Sequence, residues 1–263
     1  MSRIAKAAQD IVSGFRRYNV WHTIAMEQLR LRYRRTLFGV LWLTATFSLF
    51  IAAKTFIFSG LMSVPLKEYT LYMSVAFLVW GFINATMTDA CVVWINSESW
   101  LRGVNVPKSI FTYQTIYRNF VTSGYSAIAV AIIFLLFRHQ FTWHALVALP
   151  ALVVLLINAG WVTFFFGIIA TRYRDVIHLI RTGMGIMFFV TPILWIPRTM
   201  GPKFELFALY NPFAHMIGIV RDPLVYGTSD PISWTVCLTI SVVGWAVSFA
   251  LFAKFRNRLI FWF

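Results

Sequence analysis

The residues able to do chemistry are few. The 263-residue chain carries nine acidic residues, five histidines and two cysteines. Paired carboxylates could act as general acid and base, and clustered His, Cys and Asp could hold a metal. Neither pattern forms. His139 and His144 share one short connection, a placement more usual for loop residues than for ligands. Cys91 and Cys237 both fall in apolar stretches and are too few for a disulfide framework. The sequence has no phosphate-binding Gly-rich loop ending in Gly-Lys-Ser/Thr, no His-Glu-x-x-His and no Gly-x-Ser-x-Gly. P-loop nucleotide hydrolysis and the corresponding peptidase and hydrolase chemistries are therefore excluded. Asp175 and His178 come closest to an enzymatic pair, but Asp175 belongs to the basic string Arg172-Tyr-Arg-Asp175. Asn84 and Asp89 remain as polar groups inside an apolar run. An ionisable residue at membrane depth is a candidate for function. The plainer reading for Asp89 is an interhelical hydrogen bond or a pairing with Arg118. One such acid is too little for a proton relay, which disfavours a pump or a proton-coupled symporter.

Aromatic side chains are abundant instead, with 26 Phe, 11 Trp and 10 Tyr. Phe is at home in lipid, but Trp and Tyr away from the interfacial belts are less expected. Sugar rings present C–H faces that stack on aromatic planes. Trp80, Tyr117, Tyr125, Trp161 and Phe165 are the candidates for lining such a path.

The elements that would position these residues are long apolar helices. Charged residues make up 12% of the chain and the mean hydropathy is +0.72. Soluble domains carry about 25% charged residues. Apolar runs predict six spans at about 36–58, 70–94, 111–137, 145–171, 181–196 and 233–253. The runs are too uniform for the alternation of an outer-membrane barrel. The net charge of +14 concentrates before the first span, in alternate loops and in the tail Lys254-Phe-Arg-Asn-Arg258. That distribution predicts two cytoplasmic termini and contact with anionic lipid, not nucleic-acid binding. The polar, basic first 30 residues predict no cleavable signal peptide. The expected class is an all-α integral membrane protein.

Three segments lie outside the spans. Residues 1–35 predict an amphipathic helix in the membrane interface, with Trp21, Ile24, Ala25 and Leu31 on one stripe. Residues 97–103 predict a short cytoplasmic helix capped by Ser97, with Glu98 near its positive end and Gly103 as its left-handed stop. Such a helix would expose Trp100 and Leu101, beside Arg102, as a docking surface. Residues 197–230, rich in Pro, predict short half-buried helices re-entering at the outer face.

The motifs, in order, resemble the permease subunits of type-2 ABC exporters of polysaccharides, the O-antigen and capsule export family. The matching stretches are Tyr33-Arg-Arg-Thr-Leu-Phe-Gly-Val-Leu-Trp42, Val79-Trp-Gly-Phe-Ile83 and Pro107-Lys-Ser-Ile-Phe-Thr-Tyr113. Tyr117-Arg-Asn119, Arg172-Tyr-Arg-Asp175, Thr191-Pro-Ile-Leu-Trp195 and Asn211-Pro-Phe-Ala-His215 continue the series. Arg221-Asp-Pro-Leu224 and Phe255-Arg-Asn-Arg-Leu-Ile-Phe-Trp262 complete it. Ala90 stands where the family more often has Gly before Cys91. The resemblance implies a homodimer of six-span subunits in the bacterial inner membrane, with two copies of a separate ATPase that holds ATP and Mg. It implies no cofactor and no catalytic residue in this chain. It places the ATPase contact at Ser97, Glu98, Trp100, Leu101, Arg102 and Gly103. A lipid-linked polysaccharide would pass between the two subunits. Rival readings are an exporter of a drug or a teichoic-acid-like polymer, and a membrane glycosyltransferase or acyltransferase.

Overall fold

The computed structural model describes residues 2–58, 60 and 64–262, with backbone alone at position 260. Part of the connection between the first two predicted spans therefore lies outside the described residues. All regular structure among the described residues is helical: α1 (Arg3–Arg16), α2 (Tyr18–Arg32), α3 (Trp42–Phe58), α4 (Leu66–Ala90), α5 (Glu98–Gly103), α6 (Ser109–Leu136), α7 (Ala148–Arg172), α8 (Asp175–Val190), α9 (Pro197–Met200), α10 (Pro202–Tyr210), α11 (Pro212–Val225) and α12 (Pro231–Phe255). Five helices are long and apolar enough to cross a membrane: α3 with its leading turn, α4, α6, α7 with its leading turn, and α12. The protein is a multi-pass helical membrane protein.

The predicted fifth span differs from what is found. Its helix starts at Asp175 and ends at Val190, 16 residues in all. At 1.5 Å per residue that is about 24 Å, short of a bilayer core of roughly 30 Å. The end comes early because Pro192 disfavours helical backbone at Thr191, which is extended at ψ 139°. Asn211 and Asp230 each precede a proline, and each caps its helix by accepting two backbone N–H bonds.

Burial ranks the helices. Within the most apolar stretch of each, α4 is 72% buried and α7 56%, while α3 is only 11% buried. α4 and α7 are the centre, flanked by α6, α11 and α12. The α7–α12 joint is the most extensive. A Cβ on Gly160 would lie 2.5 Å from the Trp245 ring, and one on Gly244 would lie 2.4 Å from the Trp161 ring. Each glycine receives the other helix's tryptophan. Small residues let helix backbones approach closely where lipid supplies no hydrophobic drive. Asn158 links the same joint, donating to Ser241 Oγ at 2.7 Å and accepting from Trp161 Nε1 at 2.8 Å.

The N-terminal segment departs from a single interfacial helix. It forms two helices that dock on the bundle, α1 against α6 and α12, and α2 against α6. Ala7, Asp10 and Gly14 are the buried face of α1. In α2 the buried stripe is Ala25 and Leu29, whereas Leu31 is 57% exposed. The predicted stripe holds at Ala25, with Trp21 and Ile24 half-buried, but Leu29 and not Leu31 completes it.

Candidate functional site

The short helix after α4 is present but oriented differently from expectation. Ser97 does not cap it. Its hydroxyl donates back to the Val93 carbonyl at 2.8 Å, so α5 begins without a side-chain cap. Gly103 is not left-handed; α5 ends where Val104 turns extended. Leu101 is buried with Ala7, Phe111, Phe252 and Leu259 in one apolar cluster. Trp100 is 53% exposed, and Glu98 and Arg102 form an outward ion pair at 2.8 Å. Adjacent helical residues point about 100° apart, so Trp100 and Leu101 cannot both head one outward knob once α5 lies flat on the bundle. Leu101 is the anchor and Trp100 the projection.

Beneath α5 sits a polar clamp that the sequence reading missed. Asp10 of α1 accepts N–H bonds from Lys108 at 3.3 Å and Ser109 at 3.1 Å, and pairs with Arg256 at 2.7 Å. One carboxylate from the N-terminal helix thus caps α6 and neutralises the end of α12. Ser109 Oγ donates to the Asp10 carbonyl at 2.7 Å, and a Cβ on Gly14 would collide with that hydroxyl. Trp94 Nε1 donates to the Lys108 carbonyl at 3.2 Å, and Lys108 Nζ to the Arg256 carbonyl. Burial, then the Arg256 charge, push the Lys108 ammonium down to about 8, with Asp10 acting in the opposite sense. A signal was available: Ala7, Asp10 and Gly14 form a stripe of small residues and one acid on a basic helix. Such a stripe marks close approach rather than solvent.

Of the intramembrane candidates, Asn84, Asp89 and Trp80 meet in one cleft of about 560 Å³ between α4 and α8, with Thr88, Arg181 and Phe188. Asp89 pairs with Arg118 Nη2 at 2.8 Å, as anticipated, and Arg118 Nη1 donates to Gln28 of α2 at 2.6 Å. The Trp80 ring packs on Phe188 and Phe213. The other aromatic candidates do not join it. Tyr117 faces Trp21 and His22 of α2, with ring centroids 5.4 and 5.2 Å away. The Tyr125 carbonyl accepts from Thr44 of α3 at 2.7 Å. Trp161 and Phe165 neighbour each other on α7, with Trp161 seated over Gly244.

At the other end of α4, a second network holds the proline-rich region. Tyr69 donates to the Leu194 carbonyl at 2.8 Å and Tyr72 to the Pro192 carbonyl at 2.9 Å. The Arg221 guanidinium lies 4.2 Å from the Tyr72 ring centre and pairs with Asp222 at 2.8 Å. Glu68 pairs with Arg198 and accepts from Tyr226 at 3.3 Å. Burial, and next the Glu68 charge, raise the Tyr226 phenol well above its ordinary range, so it stays a donor. Asn211 Nδ2 donates to Thr191 Oγ1 at 3.0 Å, and His215 bridges Ser233 Oγ and the Leu209 carbonyl. These groups satisfy backbone carbonyls that the broken helix leaves open. No metal-holding group of His, Cys, Asp and Glu occurs among the described residues.

The fold and its sites thus define a helical membrane protein built around packed joints and polar clamps. No family model matches the chain. It is 24% identical over 238 residues to an O-antigen export system permease protein RfbA of Klebsiella pneumoniae, covering 89% of this chain and 91% of the relative. A second RfbA of the same organism is 26% identical over 244 residues, with the same coverage. The RfbA of Myxococcus xanthus is 19% identical over 173 residues, or 66% of each chain. The resemblance to type-2 ABC polysaccharide-export permeases is borne out along nearly nine-tenths of the chain.

Proposed function

We propose that this chain is the transmembrane subunit of an ATP-driven exporter that carries an O-antigen or capsule-type, lipid-linked polysaccharide across the bacterial inner membrane. In this reading α8 is a sixth, short span completed by the turns of residues 191–196, α9–α11 re-enter from the outer face, and both termini are cytoplasmic. Two copies of the chain bind two copies of a cytoplasmic ATPase, which supplies ATP, Mg and the hydrolytic chemistry. The observation that carries the reading is α5. It is a six-residue helix whose Leu101 is buried in an apolar cluster that also holds residues of α1, α6 and α12, with Trp100 projecting outward. A chain without a nucleotide motif receives work through such a contact, and a small rigid lever on three helices spreads that work through the bundle. The mixed polar and aromatic cleft at Trp80 and Asn84 suits a sugar better than an apolar drug.

The test is removal of the chain from its host. Surface polysaccharide is expected to vanish while lipid-linked glycan accumulates at the cytoplasmic face, and re-expression restores export. Unchanged surface glycan in the null strain overturns the proposal.

A further inference from the structure

A second cleft, of about 460 Å³, opens between α2, α4 and α6 on the far side of Asp89. Its lining holds Arg32 and Arg118 against a single acid, Asp89, for a net charge of +1. Arg118 is held in place by Asp89 at 2.8 Å and Gln28 at 2.6 Å. Arg32, on the last turn of α2, has no hydrogen bond or ion pair among the described residues. Gln114 and Thr115 of α6 also line the cleft, each only 4% exposed. Neither side chain hydrogen-bonds within the described structure. What exposure they keep is at their polar atoms, which open into the cleft instead of being sealed in the core. Two in one cleft, beside an unpaired guanidinium, amount to an unfilled set of donors.

From this geometry we infer that the cleft binds the phosphate of a lipid headgroup, with Arg32 and Arg118 carrying the charge and Gln114 and Thr115 adding neutral donors that face the opening. Guanidinium groups match phosphate oxygens in fork geometry, and charge-assisted bonds are the strong ones. Leu31 of α2 lines the same opening, so the occupant meets an apolar side chain beside the charges, as an amphiphile would. That this cleft lies toward the cytoplasmic face follows from the export reading above; the donor set does not depend on it. Two sources share this chemistry: the phosphodiester of an anionic bilayer lipid and the diphosphate of a lipid-linked substrate.

The experiment titrates delipidated, purified full-length protein with dioleoylphosphatidylglycerol, geranylgeranyl diphosphate or phosphate-free dioleoylglycerol, and reads bound lipid by native mass spectrometry. One or both phosphate lipids are expected to bind at least tenfold tighter than dioleoylglycerol. Arg32→Gln removes an exposed, unpaired side chain and is expected to weaken that binding about tenfold; Gln114→Leu weakens it severalfold. Binding of the diphosphate alone assigns the site to the substrate lipid, and binding of phosphatidylglycerol alone to the bilayer. Equal binding of all three lipids, or phosphate-lipid binding unchanged in both variants, overturns the inference. The assay needs neither ATPase nor glycan, so its failure is separable from failure of the export reading.

Discussion

Replacing Asp10 by Ala strips α6 of its cap and leaves Arg256 without its carboxylate. Asp10 is buried, with a side chain 1% exposed, whereas the Arg256 side chain is 25% exposed and can turn partly to water. Breaking a fully buried pair costs about 3–5 kcal/mol, and the solvent access of Arg256 lowers that share. The Lys108 and Ser109 amides lose their acceptor, at about 1–3 kcal/mol if each stays dry. Together these give a loss of roughly 3 kcal/mol. Asp10→Asn keeps one acceptor oxygen and should lose about half as much. The assay is thermal unfolding of the detergent-solubilised protein, paired with limited proteolysis at the basic residues of α1. Asp10→Ala is expected to lower the midpoint by roughly 6–12 °C, at about 2–4 °C per kcal/mol for a chain near this size, and to open α1 to protease. Asp10→Asn should fall between Ala and wild type. A midpoint within 1 °C of wild type for Asp10→Ala, with α1 still protected, would refute the clamp.

Trp100→Ala should leave the unfolding midpoint unchanged but sharply reduce co-purification of the ATPase, since truncated Trp anchors commonly cost about 2 kcal/mol or more. Leu101→Asp should instead destabilise the chain itself, because it buries an unpaired charge beside Phe252 and Leu259, and unfolding separates the two outcomes. Gly244→Ala should cost about 1–3 kcal/mol, read as a lower midpoint, because its Cβ would lie 2.4 Å from the Trp161 ring. Lys108 gives a pH dependence: with its folded pKa pushed down to about 8 from an ordinary 10.5, the unfolded chain holds the extra proton between these values. Its contribution to stability therefore rises with pH across that window and is flat below it, and an amine-reactive probe should label Lys108 with a midpoint near 8. Loss of that low midpoint, with labelling only above pH 10, would contradict the buried site. A reporter active only in the periplasm, fused after Phe263, should stay silent; activity there would overturn the six-span arrangement with a cytoplasmic C-terminus.

The sequence alone determined the class and the rough course of the chain. Membrane depth is a sum over about 20 residues, so the apolar runs found α3, α4, α6, α7 and α12 without knowledge of any partner. The ordered motifs likewise pointed to the export permeases, because such a likeness accumulates along the whole chain. The Asp89–Arg118 pair was legible too, since an acid at membrane depth needs a cation and few were in reach. Only the tertiary structure decided which side of a short helix faces inward. Helical period relates Trp100 to Leu101 but does not say which of them meets α1 and α12. The same holds for Tyr117, which turned to α2 rather than to the cleft of Trp80. Asp10 belongs wholly to the fold: on its own helix it is one acid among basic residues. Its partners Lys108, Ser109 and Arg256 lie about 100 and 250 positions away, a juxtaposition that no local pattern encodes.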